Sequence, residues 1–425
     1  MFSARCERTW FKYLYPSPMI DHNSSAMVFF RRCSGSIPFR RSLLTFIFFH
    51  IICVASAQPL YDSVAAWYRQ DILYSGAIAL KEAPVTVTAT RSERSAGGPH
   101  DFFSEGDYWW PNPAHPDSPY IQRDGLTNPA NFLSHRRAMV RFSRLMGDLA
   151  SAWLLTGESR YVRHAMRHAR AWFSDTATRM NPSLLYAQAI KGRVTGRSIG
   201  VIDMIQMMEV AQALHVMRDA DGVDGDVVAD ARRWFSEYIK WVTTHPYGVQ
   251  EGQAKNNHGT CWVMQVAVFA RFTGDQYWMD SCRRQFRQVL LPGQLDSAGR
   301  FPLELARTKP YGYSLFNLDA MATICHVLST PGDDLWDLRL PDGRTMRRAI
   351  EWMHPFVADK SRWPYKQDVM YWDYWPVAHP HLLFSYVRYR ESAWLDTWRE
   401  LPRFPRVEEV IRNLPVRHPL IWIAP

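Results

Sequence analysis

The sequence predicts an all-α protein, an α/α toroid of antiparallel helical hairpins with a long N-terminal loop over its cleft. Three observations carry that expectation. From Asn131 onward, stretches whose apolar residues recur at three and four positions alternate between a more apolar and a more charged helix. No run of alternating residues is long enough for a sheet domain. Polar clusters recur where the more apolar helices begin, and a toroid gathers such helix ends at one mouth.

Taken in order, the chain begins with a leader. Arg40 and Arg41 precede an apolar run from Leu43 to Ala55, and Ala55-Ser56-Ala57 follows as a small-residue cleavage pattern. The apolar run is short for a membrane span. Met27 is a possible alternative start. Residues 1–57 are therefore expected to be a leader and secretory signal, and the mature chain to be secreted or periplasmic, free of the membrane once cleaved. The leader carries seven of the basic and two of the acidic residues, so its removal lowers the formal charge from +9 to +4. The remaining balance suits a polyanionic ligand, but no Lys/Arg block points to nucleic acid.

Residues 58–130 read as an N-terminal extension and covering loop, with a first helix near Leu60 to Leu80 followed by a Pro-, Gly- and aromatic-rich stretch that includes "SEGDYWWPNP". Loops of such length in compact proteins are often binding elements. The toroid is expected over 131–400. Its first hairpin joins "NFLSHRRAMVRFSRLMGDLASAWLLTG" to "SRYVRHAMRHARAWFSD". Three further pairs follow: "SIGVIDMIQMMEVAQALHVM" with "VVADARRWFSEYIKWVTTH", "CWVMQVAVFARF" with "QYWMDSCRRQFRQVLL", and "SLFNLDAMATICHVLS" with "TMRRAIEWMHPFVAD". The asymmetry within each pair predicts an inner and an outer ring. Turns echo as well, Thr156-Gly157-Glu158 against Thr273-Gly274-Asp275, a weak internal repeat. Residues 401–425 read as a C-terminal tail. Cys261, Cys282 and Cys325, the mature chain's three cysteines, make no disulfide framework and lack zinc-site spacing, so buried thiols with at most one disulfide are expected.

Four stretches interrupt the apolar surroundings. In "KNNHGTCW", Asn256 or Asn257 suits an N-cap, but a cap explains one Asn and not Asn256-Asn257-His258 together. A carboxamide and an imidazole at a helix head also suit a carboxylate on which negative charge builds. In "PLELARTKPYGYSLFN", Arg307 stands within reach of Glu304 at i, i+3 as an ordinary surface pair, or with Tyr311 and Tyr313 as a site that holds an acidic sugar and moves a proton. In "AQAIKGRVTGRSIG", Gln188, Arg193 and Arg197 surround two glycines, either as a plain loop or as backbone near substrate with Arg197 facing an anion. In "GDYWWPNP", Tyr108, Trp109 and Trp110 make a packed corner or stacking faces over a groove. His379-Pro380-His381 is read as structural or incidental, and P-loop and α/β-hydrolase motifs are absent.

Together, "AQAIKGRVTGRSIGVID", "KNNHGTCW", "ELARTKPYGYSLFNLDA" and the "EGDYWWPNP" loop resemble the alginate lyase domain of polysaccharide lyase family 5 over Asp101 to His381. The resemblance implies an incomplete α/α toroid and β-elimination of an acidic, uronate-containing polysaccharide without metal or other cofactor. It implies Asn257, His258, Arg307 and Tyr313 as catalytic: the first three neutralise the substrate carboxylate, and the tyrosine takes the C5 proton and protonates the leaving oxygen. Substrate binding falls to Tyr108, Trp109, Trp110, Gln188, Arg197, Asn256 and Tyr311, and a monomer is expected. The chain departs from the family in reading Gly259-Thr260-Cys261-Trp262 where Ser-Tyr-Trp is usual, and Tyr311 stays open as the base beside Tyr313. The competing expectations are a glycoside hydrolase using two of Asp107, Asp124, Asp203 and Glu304, and a non-catalytic carbohydrate-binding protein.

Overall fold

Two glycines in the left-handed conformation set the hairpin repeat. Gly157 (φ +69°) and Gly274 (φ +79°) close the helices Ser134–Thr156 and Asn257–Thr273, donating their N–H groups to Trp153 O and Ala270 O. Only glycine reaches that conformation without steric cost, which is why the Thr-Gly-acid turn recurs. The helix that follows each turn ends in a single π-helical turn, Arg170–Ser174 in one case and Phe286–Leu290 in the other. The repeat therefore extends beyond the turn residues.

The structure, a computed structural model, describes residues 40–424 apart from Pro116, with side chains described from Gln58. Met1–Pro38 and the side chains of the expected signal lie outside the described residues. The chain divides into two units, Met1–Ile51 and Ile52–Pro425, and every element after the first helix belongs to the second. The helices are α1 (Arg40–Ala79), α2 (Ser134–Thr156), α3 (Ser159–Ala169), α4 (Met207–Val216), α5 (Gly225–Thr244), α6 (Pro246–Gly252), α7 (Asn257–Thr273) and α8 (Gln276–Gln285). After them come α9 (Leu291–Gln294), α10 (Pro302–Leu305), α11 (Pro310–Leu328), α12 (Met346–Ala358), α13 (Pro380–Tyr389), α14 (Ser392–Glu400), α15 (Glu408–Arg412) and α16 (Pro419–Trp422). A 3-10 turn, Ser198–Gln206, leads into α4. Among the described residues four short strands make two small sheets: β1 (Phe103–Glu105) runs parallel to β4 (Tyr186–Ala189), and β2 (Trp109–Trp110) antiparallel to β3 (Ile121–Gln122).

The architecture is the expected all-α, incomplete (α/α) toroid. Helices α2, α4, α7, α11 and α13 contact one another in succession as the inner ring, and α3, α5, α8, α12 and α14 pack outside them. Burial follows the sequence asymmetry. Of α11, every residue except Tyr313 and His326 is buried, whereas in α8 only Cys282 is. Cys261, Cys282 and Cys325 are buried free thiols, and there is no disulfide among the described residues.

Buried polar groups tie the ring together. Asp319 on α11 takes His379 Nδ1 at 2.7 Å and His381 Nδ1 at 2.6 Å, fixing the start of α13. His379 Nε2 accepts from the Val377 N–H, which leaves the proton on Nδ1 for Asp319. Burial alone would raise the Asp319 carboxyl, but the two imidazoles outweigh it and hold it down at about 2. His379-Pro380-His381 thus has the structural task expected of it.

Residues 401–425 return to the body, with α16 against α2 and α4. His418 lies in the space left by the missing side chain of Gly147, where a Cβ would come within 2.2 Å of Nδ1. Its ring bonds Glu209 (2.8 Å) and Asp148 (3.0 Å), and Arg417 and Arg144 are the neighbouring cations. Burial opposes the imidazolium, but the two carboxylates outweigh it and raise His418 from 6.5 to about 9. Its contribution to stability is therefore complete below about pH 6.5 and lost as pH rises through about 9. Thermal unfolding of His418→Gln is expected to lose much of the wild-type decline in Tm between pH 7 and 10. An equally steep decline in the variant assigns the effect elsewhere.

Candidate active site

The polar clusters of the inner ring face a cleft of about 760 Å3. Its wall is built from the N-terminal loop, the β4 turn, the head of α7 and the start of α11.

At the head of α7, Asn256 is the N-cap, its Oδ1 accepting from the His258 N–H at 3.4 Å. The glycine at 259 has a local cause, since a Cβ there would stand 2.1 Å from the Ala254 carbonyl oxygen. Asn257 is 1% exposed, and both its backbone N–H and Nδ2 donate to Glu304 at 2.7 Å. Burial pushes the Glu304 carboxyl up against the pull of those two donors. His258 gives Nδ1 to the buried Glu251 at 2.6 Å, which leaves Nε2 without a partner among the described residues. A carboxylate on one ring nitrogen fixes the ring's orientation and leaves the other nitrogen for a ligand.

Tyr313 lines the same cleft, and its hydroxyl lies 2.6 Å from Tyr108 OH and 3.5 Å from Arg307 Nη2. Cations surround the ring: Arg307 Cζ is 4.5 Å and Lys309 Nζ 5.3 Å from its centroid. Lys309 itself is buried and paired with Glu409. Burial nevertheless pushes the Tyr313 phenol well above its usual range, with Lys309 and Arg307 pulling the other way, so the resting group is protonated. Arg307 does not pair with Glu304, which Asn257 occupies. Its partner is Asp124 at 2.8 Å, and Thr308 Oγ1 donates to the same carboxylate. Burial works against the guanidinium, but Asp124 and Tyr313 outweigh it and raise its affinity for the proton.

Arg197 donates to Gln188 through Nε and Nη2, both at 3.0 Å, and no carboxylate pairs with it among the described residues. Gln188 holds the left-handed conformation (φ +51°), unusual for a side chain with a Cβ and suited to a constrained site. At the base, Asp107 joins Arg136 at 2.7 Å and Arg412, and Asp203 takes Ser104 Oγ at 2.6 Å.

The cleft therefore brings together Tyr108, Trp109, Gln188, Arg197, Asn256, Asn257, His258, Arg307 and Tyr313. Two expected binding residues lie elsewhere. Tyr311 is fully buried, donates to Phe356 O at 2.9 Å, and sits edge-on against Trp363 and Trp372. Two residues along a helix is about 200° of rotation, so Tyr311 and Tyr313 cannot share a face. Trp110 alternates away from Trp109 along β2 and donates Nε1 to Leu126 O at 2.9 Å. Sequence reasoning missed Glu251, Lys309, Glu409 and Arg412. Only Glu251 had a local signal, an acid seven residues before His258 in a chain that turns sharply between them.

The family model for alginate lyases matches residues 86–363. Among solved structures, an alginate lyase from Bacteroides ovatus is similar at TM-score 0.75 with 29% identity, over 87% of this chain and 97% of that one. The fold is also shared with alginate lyase A1-III from Sphingomonas species A1 (TM-score 0.50, 14% identity, 84% and 95% of the chains). A histidine-to-alanine variant of A1-III complexed with a tetrasaccharide is similar at TM-score 0.51 and 13% identity, over 84% of this chain and 94% of that one. No curated protein sequence matches.

Proposed function

The chain belongs to the alginate lyase family of polysaccharide lyases, and we propose that it cleaves a uronate polymer of the alginate type by β-elimination, with His258 and Tyr313 dividing the proton work. The observation that carries this reading is that one cleft is lined both by His258, whose Nε2 has no partner among the described residues, and by Tyr313, whose hydroxyl meets Tyr108 and Arg307. Donors from Asn257 and Arg307 hold the sugar carboxylate and the charge that builds on it as the C5–H bond breaks. His258 Nε2 takes that proton. Tyr313 gives its own to the glycosidic oxygen as the C4–O bond breaks and the C4=C5 double bond forms. Arg307 and Lys309 then steady the phenolate.

This division differs from the single-tyrosine scheme that the family resemblance implies, in which Tyr313 both takes the C5 proton and protonates the leaving oxygen. The hydrolase reading loses support. Each of its candidate carboxylates is already engaged: Asp107 and Asp203 by Arg136, Asp124 by Arg307, and Glu304 by Asn257. The direct experiment incubates the protein with alginate, polyglucuronate and pectate and follows the ultraviolet absorbance of the unsaturated product. Reducing ends without new absorbance would mean hydrolysis, and binding without either would mean a non-catalytic protein.

Export is part of the same proposal. It is supported by the Arg40-Arg41 pair, the apolar run to Ala55 and the Ala55-Ser56-Ala57 pattern. N-terminal sequencing of exported protein checks it, with Gln58 as the expected first residue.

A further inference from the structure

The turn at Gly192 is lashed to the β2–β3 hairpin beside the cleft. Tyr120 N–H donates to Lys191 O at 3.1 Å and Arg193 Nε to Tyr120 O at 2.8 Å. The glycine permits the approach, for its φ is +76° and a Cβ there would stand 3.0 Å from Pro119 Cα. The surface so formed interleaves cations with aromatic faces. Arg193 lies 5.1 Å from the Trp109 ring centroid, Arg123 lies 5.3 Å from Trp110, and Lys191 lies 5.8 Å from Tyr120.

The three cations are exposed, and none pairs with a carboxylate among the described residues. Three other arginines of this side do: Arg94 is taken by Glu105, Arg307 by Asp124 and Arg412 by Asp107, whereas Arg197 bonds Gln188. Asp124, adjacent to Arg123 in the chain, is occupied by Arg307 and Thr308. The positive charge on this ridge is thus uncompensated, and uncompensated surface charge attracts a ligand of opposite sign. The ridge continues the cleft, because Trp109 and Gln122 belong to the hairpin and also line the cavity.

We propose that this ridge is an accessory binding surface for the stretch of polyuronate chain that extends beyond the cleft, with Arg123, Lys191 and Arg193 meeting sugar carboxylates and Trp109, Trp110 and Tyr120 offering ring faces. The proposal rests on the polyuronate reading above. It makes the enzyme prefer long chains over short ones, by an electrostatic margin that salt removes. Exposed charge contacts each contribute about 0.2–1 kcal/mol, so two of them together amount to roughly a two- to thirtyfold effect.

The test is the double variant Arg123→Gln/Lys191→Gln, assayed on alginate polymer and on an alginate trisaccharide at low and high salt. The expected result is a rise in KM for polymer of about five- to tenfold at low salt with kcat kept. The polymer-to-trisaccharide ratio of kcat/KM falls accordingly, and the gap to wild type narrows as salt screens the charges. A wild-type ratio, or an equal loss on both substrates, overturns the proposal. Retardation in alginate-containing native gels separates this from failure of the parent reading. If wild type forms no unsaturated product, the lyase reading fails on its own. The ridge proposal then stands if wild type is retarded more than the variant, and falls if both migrate alike.

Discussion

Tyr313→Phe is expected to abolish chain cleavage, lowering kcat by about 10²–10⁴-fold, the usual worth of a positioned general acid. Folding should survive, because the hydroxyl's partners are Tyr108 and, at 3.5 Å, Arg307, and a lost hydrogen bond of that kind costs about 1 kcal/mol. The division of labour adds a sharper outcome. In D2O the variant should still exchange the substrate's C5 proton for deuterium, because His258 retains Glu251 on Nδ1 and keeps Nε2 free. If both exchange and cleavage vanish, Tyr313 serves as base and acid alike. Full activity in the variant would remove Tyr313 from the mechanism, and the buried Tyr311 offers no replacement within the cleft.

The second large effect is on stability. Asp107→Ala is expected to destabilise the fold by about 3–5 kcal/mol, the range for removing one partner of a buried charge pair. The Asp107 carboxylate holds both Arg136 and Arg412, and its own side chain is 5% exposed. Burial would raise its proton affinity, but the two guanidinium groups outweigh burial and hold it well below the carboxylate range. Denaturant midpoints measure the loss. A cost below about 1 kcal/mol would mean that the two arginines find water through the cleft instead of remaining stranded.

These two residues also mark what was legible in the sequence. The rings were, because burial in α11 and exposure in α8 follow directly from their apolar patterns. The turns at Gly157 and Gly274 were as well, since a left-handed cap demands glycine. The head of α7 stood out because three polar side chains preceded an apolar run, and Asn256 took the capping task. The partners of the site residues did not show. Arg307 meets Asp124 across 183 positions, Lys309 meets Glu409 across 100, and Tyr313 meets Tyr108 across 205. Local spacing cannot report such pairings. It instead suggested Glu304 for Arg307, an i, i+3 neighbour that the fold assigns to Asn257. The choice between Tyr311 and Tyr313 stayed open in the sequence for a milder reason. Helical geometry says that only one can face the cleft, but not which one.

The contact between Tyr108 and Tyr313 joins two parts of the protein with separate histories available to them. The groups proposed to move protons sit on helices of the ring, where every neighbour is packed and substitution disturbs the core. The groups proposed to grip the polymer sit largely on a loop held by its own small hairpin. Substitutions confined to that loop are therefore expected to change which polymer is held while leaving the two groups proposed to move protons in place.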